Sequence, residues 1–180
     1  MAGTKQPSVP TIIRKLHGGR SRSPRTVHTT MRLVIQRVKH ASVTVDGKTV
    51  GSIDRGLVAL CGINRDDTPA DAEWCAKKLL SVRLFDSEDG TKPWVQSVSQ
   101  AKLGVLLVSQ FTLFARLKGN KPDFSQAMGP QYSKPYWEDF VSRVRTLHEG
   151  AGPVAEGVFG AKSPPPAHPA LPDCPVIAPP

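Results

Sequence analysis

Hydrophobic and polar positions along the chain predict several strands with two helices between them. Residues 32–38 form an apolar strand-like run, and residues 41–53 alternate apolar and polar positions around Asp46-Gly47, a dipeptide typical of a tight hairpin turn. Residues 56–63 and 103–108 are continuous apolar runs, the pattern of strands that are covered on both faces. The strands therefore account for most of the expected core.

Two segments carry the spacing of amphipathic helices. The first follows Asp67-Thr68-Pro69, which offers a cap and a first-turn proline, and is expected to end near Arg83, just before a short strand at Leu84-Phe85. The second is expected to begin near Ser133. Its apolar stripe consists of Trp137, Phe140, Val141, Val144 and Leu147. Strand groups separated by helices predict an α+β fold: a mainly antiparallel or mixed, barrel-like β-sheet core with two inserted helices.

Composition divides the chain into three parts. Residues 1–30 carry six Lys or Arg and no acidic residue, and they lack a hydrophobic period that a core could use. This composition is typical of an organellar transit peptide, and the alternative is a disordered extension upstream of a start at Met31. Residues 162–180 hold eight prolines, which cannot donate to a β-ladder, so a disordered tail is expected there. The folded domain is expected within residues 31–161, with residues 1–30 dispensable.

Most of the formal net charge of +9 lies outside this domain. Residues 31–161 carry 17 basic and 14 acidic residues, a net charge of +3, which is compatible with a nucleic-acid partner without requiring one. Three scattered cysteines favour a reducing compartment over a disulfide framework. Neither a bilayer-spanning apolar run nor a metal-type spacing of Cys or His occurs in the sequence.

Candidate chemistry lies at the end of the last buried strand, where Ser109, Gln110, Phe111 and Thr112 interrupt the apolar run. Strand ends often carry active groups, because the sheet fixes the backbone while the following loop opens a cleft. Backbone N–H groups that leave a strand can donate to a developing oxyanion. The alternative is an ordinary strand terminus whose hydroxyl groups satisfy the turn backbone. The residues alone leave both interpretations open.

Three segments resemble a known family when they are taken in order. They are MRLVIQRVKHASVTVDGKTVGSIDRGLVALCGI from Met31, LLVSQFTLFARLKGNKPDFSQAM from Leu106, and GVFGA at 157–161. The Ser-Gln-Phe-Thr signature is specific to the D-aminoacyl-tRNA deacylases, and the resemblance to them runs from Met31 to about Ala161. It implies a homodimer that uses no metal or cofactor. The implied activity is hydrolysis of the ester that joins a D-amino acid, or glycine, to the 3′ end of tRNA.

The resemblance also implies the site residues. Ser109, Gln110, Phe111 and Thr112 match the segment that lines the family's aminoacyl pocket and are the expected catalytic residues. Attack by water, assisted by the 2′-hydroxyl of the substrate, is the expected mechanism, because no base lies near Thr112 in the sequence; residues distant in sequence could still fold close to it. The residues that match the family's adenosine-binding loop are Asn120, Lys121, Pro122, Phe124, Ala127 and Met128.

One family feature is expected to be absent. After its GVFGA-like segment the family carries Gly-Pro-Val-Thr, whose cis Gly-Pro peptide enters the partner's pocket and rejects L-amino acids, whereas here Ala161 leads into Pro-rich sequence. Gly152-Pro153-Val154 precedes that position and is interpreted as a loop. The alternative function is therefore a truncated, inactive or tRNA-binding-only relative, and a third is an unrelated binding module. The expected location is cytoplasmic, with organellar targeting by residues 1–30 as the alternative.

Overall fold

The computed structural model describes residues 11–14 and 30–161. The strands of this part of the chain are β1 (Thr11–Arg14), β2 (Arg32–Val38), β3 (Ala41–Val45), β4 (Lys48–Ile53), β5 (Gly56–Gly62), β6 (Arg83–Phe85), β7 (Gln96–Ser97), β8 (Gly104–Ser109), β9 (Arg116–Lys118), β10 (Lys121–Asp123) and β11 (Val154–Glu156). Its helices are α1 (Pro69–Ser81), α2 (Pro130–Leu147) and a 3₁₀ turn at Phe111–Phe114.

The central sheet is mixed and has the strand order β1-β2-β5-β8-β11. The β1–β2 and β2–β5 pairs are antiparallel, whereas β5–β8 and β8–β11 are parallel. A parallel pair needs a long crossover, and α1 and α2 lie in the two crossovers that the parallel pairs require. This architecture confirms the predicted α+β class with a mixed sheet and two inserted helices.

Both helices pack on one face of the sheet. Alternate residues of β2, β5 and β8 are buried on that face, and they include Leu33, Ile35, Leu57, Ala59, Cys61, Val105 and Leu107. A smaller cluster of Ile53, Val58 and Leu106 is buried on the other face, with residues of the β3–β4 hairpin packed against it. The strands β5 and β8 are thus covered on both faces, which explains why their sequences are continuously apolar.

The helix boundaries follow from capping and proline chemistry. The Thr68 N–H and hydroxyl both donate to the Asp71 carboxylate, at 3.0 and 2.6 Å, and α1 begins at the next residue after Thr68. The second helix begins at Pro130 instead of near Ser133, because a proline is well tolerated at the first helical position; it also accommodates Pro135. Neither α-helix of the described residues is long and apolar enough to cross a membrane.

Four residues of the basic N-terminal segment form the edge strand β1. Their backbone pairs with β2 in an antiparallel register that places Thr11 opposite Ile35 and Arg14 opposite Arg32. The sequence pattern predicts no element in residues 1–30, because a run of four residues is too short to reveal a period. Residues 1–10, 15–29 and 162–180 lie outside the described residues. The domain boundaries, the transit peptide and the disordered tail therefore stay predictions.

Gly152-Pro153 lies directly before β11. The Pro153 carbonyl accepts the Val105 N–H over 2.9 Å, and a Cβ on Gly152 would lie 2.5 Å from the Leu103 carbonyl oxygen. All peptide bonds of the described residues are trans. These contacts support the interpretation of the segment as a loop that leads the chain from α2 into the sheet.

Candidate active site

The candidate site begins where β8 ends in the sheet. Ser109 is the last residue of β8 and pairs with Cys61 of β5. The Gln110 N–H donates to the Cys61 carbonyl over 2.8 Å, so the backbone stays fixed one residue beyond the strand. The chain then enters the 3₁₀ turn Phe111–Phe114, whose first half is exposed and whose second half is buried.

This turn presents two backbone N–H groups at its exposed end. Within the turn, the Leu113 N–H donates to the Gln110 carbonyl over 3.2 Å, and the Ala115 N–H donates to the Thr112 carbonyl over 3.0 Å. Among the described residues, no backbone acceptor takes the N–H of Phe111 or of Thr112. Two adjacent donors on a fixed turn suit the negative oxygen that forms when an ester carbonyl is attacked.

The buried half of the turn packs closely against β5 and against the side chain of Arg32. A Cβ on Gly62 would lie 2.8 Å from the Cβ of Leu113, so only glycine lets β5 approach the turn this closely. The Arg32 guanidinium lies 4.4 Å from the centre of the Phe114 ring and also donates to the Leu113 carbonyl. Sequence reasoning missed Arg32, because nothing in an apolar strand tells which partner an arginine at its start will meet. The anchoring holds the exposed N–H groups in place.

The side chains of Gln110 and Thr112 are hydrogen-bonded to each other. Gln110 Nε2 donates to Thr112 Oγ1. Within the described part of the chain, no histidine or carboxylate is bonded to the Thr112 hydroxyl. A threonine needs an adjacent base to become a nucleophile, so this arrangement suits Thr112 as a hydrogen-bonding group that orients substrate or water.

The basic loop folds into the hairpin β9–β10, with Gly119 and Asn120 at its tip. Gly119 has a φ of +61°, a left-handed conformation that favours glycine. Lys118 forms an ion pair with Asp123 across the hairpin at 3.0 Å. That contact, helped by the N–H and hydroxyl of Ser125, holds the pKa of Asp123 below its usual value. The charge of Lys118 is therefore already engaged within the hairpin.

The segment after β10 lies against the strand end. The rings of Phe111 and Phe124 meet edge to face, with centroids 5.1 Å apart and planes at 71°. Ala127 forms an antiparallel bridge with Asn64, in the turn that follows β5. The fold thus brings together Phe111 and Phe124, which are 13 positions apart in the chain and belong to the two groups of predicted site residues.

The remaining predicted residues of the loop fall into two sets. Met128 is half-buried, and its N–H donates to the Ile63 carbonyl over 3.0 Å. Asn120, Lys121 and Pro122 are exposed at the hairpin tip, and among the described residues no hydrogen bond or ion pair joins them to the strand end. They can contact a large substrate that extends beyond the strand end.

A partly buried acid, Asp67, was missed as a site residue. Asp67 accepts the N–H groups of Asn64 and Met31, each at 2.7 Å. Burial raises the pKa of Asp67 to about 7, while the two N–H donors oppose the rise. The sequence pattern predicts Asp67 only as part of the helix cap, whereas the structure gives the capping contacts to Thr68 and Asp71.

Ordinary hydrogen bonding accounts for the buried His148. The two ring nitrogens of His148 lie 2.9 Å from the Ser99 hydroxyl and 2.9 Å from the Leu103 carbonyl oxygen. Burial raises the pKa of the Cys61 thiol, which keeps it in its unreactive protonated form. Within the described ranges, no three His, Cys, Asp or Glu side chains converge on a metal site.

Comparisons with known proteins connect the chain to one family. The family model described as D-Tyr-tRNA(Tyr) deacylase matches residues 34–164. A D-aminoacyl-tRNA deacylase of Dictyostelium discoideum is 47% identical over 131 residues, which cover 73% of this chain and 86% of that protein. D-aminoacyl-tRNA deacylase 1 of Danio rerio is 42% identical over 73% of this chain and 63% of its own. The solved c-Myc DNA Unwinding Element Binding Protein is 40% identical, with a TM-score of 0.67, over 72% of this chain and 86% of that one.

Proposed function

Since this chain belongs to the D-Tyr-tRNA(Tyr) deacylase family, we propose that it hydrolyses the ester between a D-amino acid and the terminal ribose of tRNA. The contact between Phe111 and Phe124 carries the proposal: Phe111 is an exposed residue whose N–H has no backbone acceptor among the described residues, and its ring packs against the loop that resembles the family's adenosine-binding segment. An inactive or tRNA-binding-only relative is not favoured, since the similar proteins are named as deacylases. The direct test is release of amino acid from D-aminoacyl-tRNA by the purified chain.

The proposed reaction is attack by water on the ester carbonyl carbon. The electron pair of the carbonyl moves onto its oxygen, which accepts the N–H groups of Phe111 and Thr112. The intermediate collapses when the bond to the ribose oxygen breaks, and that oxygen leaves with a proton relayed from the attacking water through the neighbouring 2′-hydroxyl. The bonded side chains of Gln110 and Thr112 orient the aminoacyl group, and Ser109 fixes the strand end. The products are a free D-amino acid and tRNA.

The loop residues are proposed to hold the 3′ end of the tRNA. Phe124, Ala127 and Met128 form the docked part of the loop and face the terminal adenosine in this proposal. Lys121 is exposed at the hairpin tip, whereas Lys118 is paired with Asp123, so Lys121 is the better candidate for a phosphate contact. Asn120 and Pro122 flank Lys121 and complete the tip.

Three finer statements rest on the family resemblance. We propose that the chain acts as a homodimer, that it also removes glycine from mischarged tRNA, and that it works in the cytoplasm, where aminoacyl-tRNA is consumed. Sedimentation of the full chain tests the dimer, and deacylation of glycyl-tRNA tests the second substrate. Imaging of the full chain fused to a fluorescent protein tests the location. A monomer that is fully active would remove the dimer from the proposal without affecting the reaction.

Gln110→Ala is expected to lower kcat/KM for D-aminoacyl-tRNA by about tenfold or more, because it removes the side chain that is bonded to Thr112 at the site. Lys48→Ala is the control, since Lys48 is exposed in the β3–β4 hairpin. Steady-state deacylation of the two variants beside the wild type gives the measurement. Equal losses from both substitutions would count against the site assignment.

Thr112→Val is expected to keep kcat within about tenfold of the wild type, because the proposal gives Thr112 an orienting role and not a nucleophilic one. The substitution preserves the shape of the side chain and removes its hydroxyl. Mass spectrometry of the wild type quenched during turnover provides a second measurement. An acyl group trapped on Thr112 would show that Thr112 attacks the ester, and complete loss of activity in a folded Thr112→Val variant would contradict the expected minor effect.

A further inference from the structure

The turn between β5 and α1 is hydrogen-bonded through its backbone to the proposed adenosine-binding loop. The Arg65 N–H donates to the Gln126 carbonyl, and the Met128 N–H donates to the Ile63 carbonyl, each over 3.0 Å. The bridge between Asn64 and Ala127 lies between these two bonds. Residues 126–128 are therefore paired with residues 63–65 in the manner of an added strand. A shift of residues 63–65 would shift residues 126–128 as well.

This turn is held from its inner side by one carboxylate. The Asp67 N–H closes the turn onto the Asn64 carbonyl over 3.1 Å, and one carboxylate oxygen of Asp67 accepts the Asn64 N–H. The other oxygen accepts the Met31 N–H, directly before β2. Both contacts are 2.7 Å long, the short end of the range for hydrogen bonds to a charged acceptor.

We propose that Asp67 is a positioning residue for tRNA binding, because its carboxylate fixes the turn at residues 64–67 that holds the adenosine-binding loop in place. The proposal rests on the function proposed above for that loop. Asp67 does not touch the loop itself; it acts through Asn64 and Arg65. Its effect should therefore appear in the binding of the tRNA and not in the chemical step.

A purely structural role as a helix cap does not account for these contacts. The capping of α1 is carried out by Thr68 and Asp71, whose side chains and N–H are bonded to each other. Both contacts of Asp67 run away from the helix, one to β2 and one to the turn. Removal of the carboxylate leaves α1 its cap and leaves two N–H groups without an acceptor, which frees the turn to move.

The charges around Asp67 make the contact sensitive to pH. Burial and the carboxylates of Asp71 and Asp66 raise the pKa of Asp67, and the N–H groups of Asn64 and Met31 oppose them. Tyr136 of α2 also faces this region and donates its hydroxyl to the Thr68 carbonyl. Above a pH of about 7 the carboxylate is ionised and both oxygens accept. Below that pH one oxygen carries a proton and no longer accepts an N–H.

The first experiment compares Asp67→Asn with the control Asp66→Asn in deacylation of D-aminoacyl-tRNA. Asp67→Asn replaces one acceptor oxygen by an NH₂ group and is expected to raise KM about tenfold while kcat stays within about twofold. The side chain of Asp66 is exposed and lies 3.7 Å from Arg65, and its backbone N–H, which donates to Asn64 Oδ1, is kept in the variant. At pH 8, where Asp67 is ionised with or without the charge of Asp66, the substitution should leave both constants unchanged. The wild-type KM should fall as pH rises from 6 to 8, and this trend should be absent from Asp67→Asn.

A second pair of variants leaves Asp67 itself unchanged. Arg65→Pro removes the N–H that bonds Gln126, at the second position of a turn where proline is favoured, and Arg65→Ala removes the same side chain but keeps that N–H. Arg65→Pro is expected to raise KM about fivefold over Arg65→Ala. Hydrogen exchange supplies a readout that needs no activity, with faster exchange expected at the Met128 amide in Asp67→Asn and in Arg65→Pro.

Each outcome decides the proposal. Unchanged KM and unchanged exchange at Met128 in Asp67→Asn would overturn it, and so would a fall in kcat at constant KM. If Asp67→Asn does not fold, equal KM values for Arg65→Pro and Arg65→Ala would overturn it as well. If the wild type fails to hydrolyse D-aminoacyl-tRNA, the function proposed above falls, while hydrogen exchange still decides whether Asp67 holds the loop.

Discussion

Phe111→Pro is expected to lower kcat about 100-fold below that of Phe111→Ala, because the proline variant alone loses an N–H that is proposed to bind the ester oxyanion. Both variants lack the ring that meets Phe124, so the loss of that contact cancels in the comparison. Proline is tolerated at this position, since Phe111 is the first residue of the 3₁₀ turn and its N–H has no backbone acceptor among the described residues.

The measurement is single-turnover deacylation of D-aminoacyl-tRNA by the two variants, at enzyme concentrations that saturate binding. Circular dichroism and thermal unfolding establish that both variants are folded. Equal single-turnover rates for Phe111→Pro and Phe111→Ala would remove the Phe111 N–H from the mechanism. If the saturated rates are equal but Phe111→Pro needs a higher enzyme concentration for half-saturation, the N–H contributes to substrate binding instead of to the developing negative charge.

Gly56→Ala is expected to destabilise the fold by about 3 kcal/mol or more, enough to consume much of a typical domain stability of about 5–15 kcal/mol. A Cβ on Gly56 would lie 2.0 Å from the carbonyl oxygen of Gly104, with which Gly56 pairs at the start of the parallel β5–β8 ladder. The obstacle is backbone, so no side chain can rotate away, and the two central strands have to separate.

Gly129→Ala is the matched control, because nothing lies within 4 Å of the position that a Cβ would occupy and the φ of Gly129 is −61°. Its expected cost is less than about 1 kcal/mol, the usual penalty for alanine in place of glycine at a helix cap. Urea unfolding followed by circular dichroism measures both changes. The error of such comparisons is about 0.5 kcal/mol. If the stability of Gly56→Ala remained within that error of the wild type, the close approach of β5 and β8 would be wrong.

The long strands and helices could be predicted because each shows a recognisable pattern of apolar and polar residues over several positions. β5 is apolar throughout and β8 is apolar up to Val108, because both strands are covered on both faces, and α1 has a recognisable cap. The strands β7, β9, β10 and β11 have two or three residues each, too few to show a period. Their existence depends on partners elsewhere in the chain, as β11 depends on β8.

The candidate site was predictable only where its residues are consecutive. The segment Ser109–Thr112 interrupts an apolar run and is visible from the sequence, and the family resemblance supplied its role. Arg32 and Asp67 act through contacts with groups distant in the chain, such as the Leu113 carbonyl and the Met31 N–H. An arginine at a strand start and an aspartate before a helix are common, so neither position stands out without the fold.

The two parallel ladders affect when the candidate site forms during folding. Leu57 pairs with Val105, and Val105 lies opposite Val154, so each ladder joins segments 48 or 49 positions apart, whereas β2 and β5 form a more local antiparallel pair. Long-range pairing forms slowly, because the chain loses the entropy of a large loop before it gains the contacts. We expect β8 to join the sheet late, and the turn whose N–H groups are proposed to bind the ester follows β8. A nascent or partly folded chain would therefore have no hydrolytic activity toward the aminoacyl-tRNAs that surround it during synthesis.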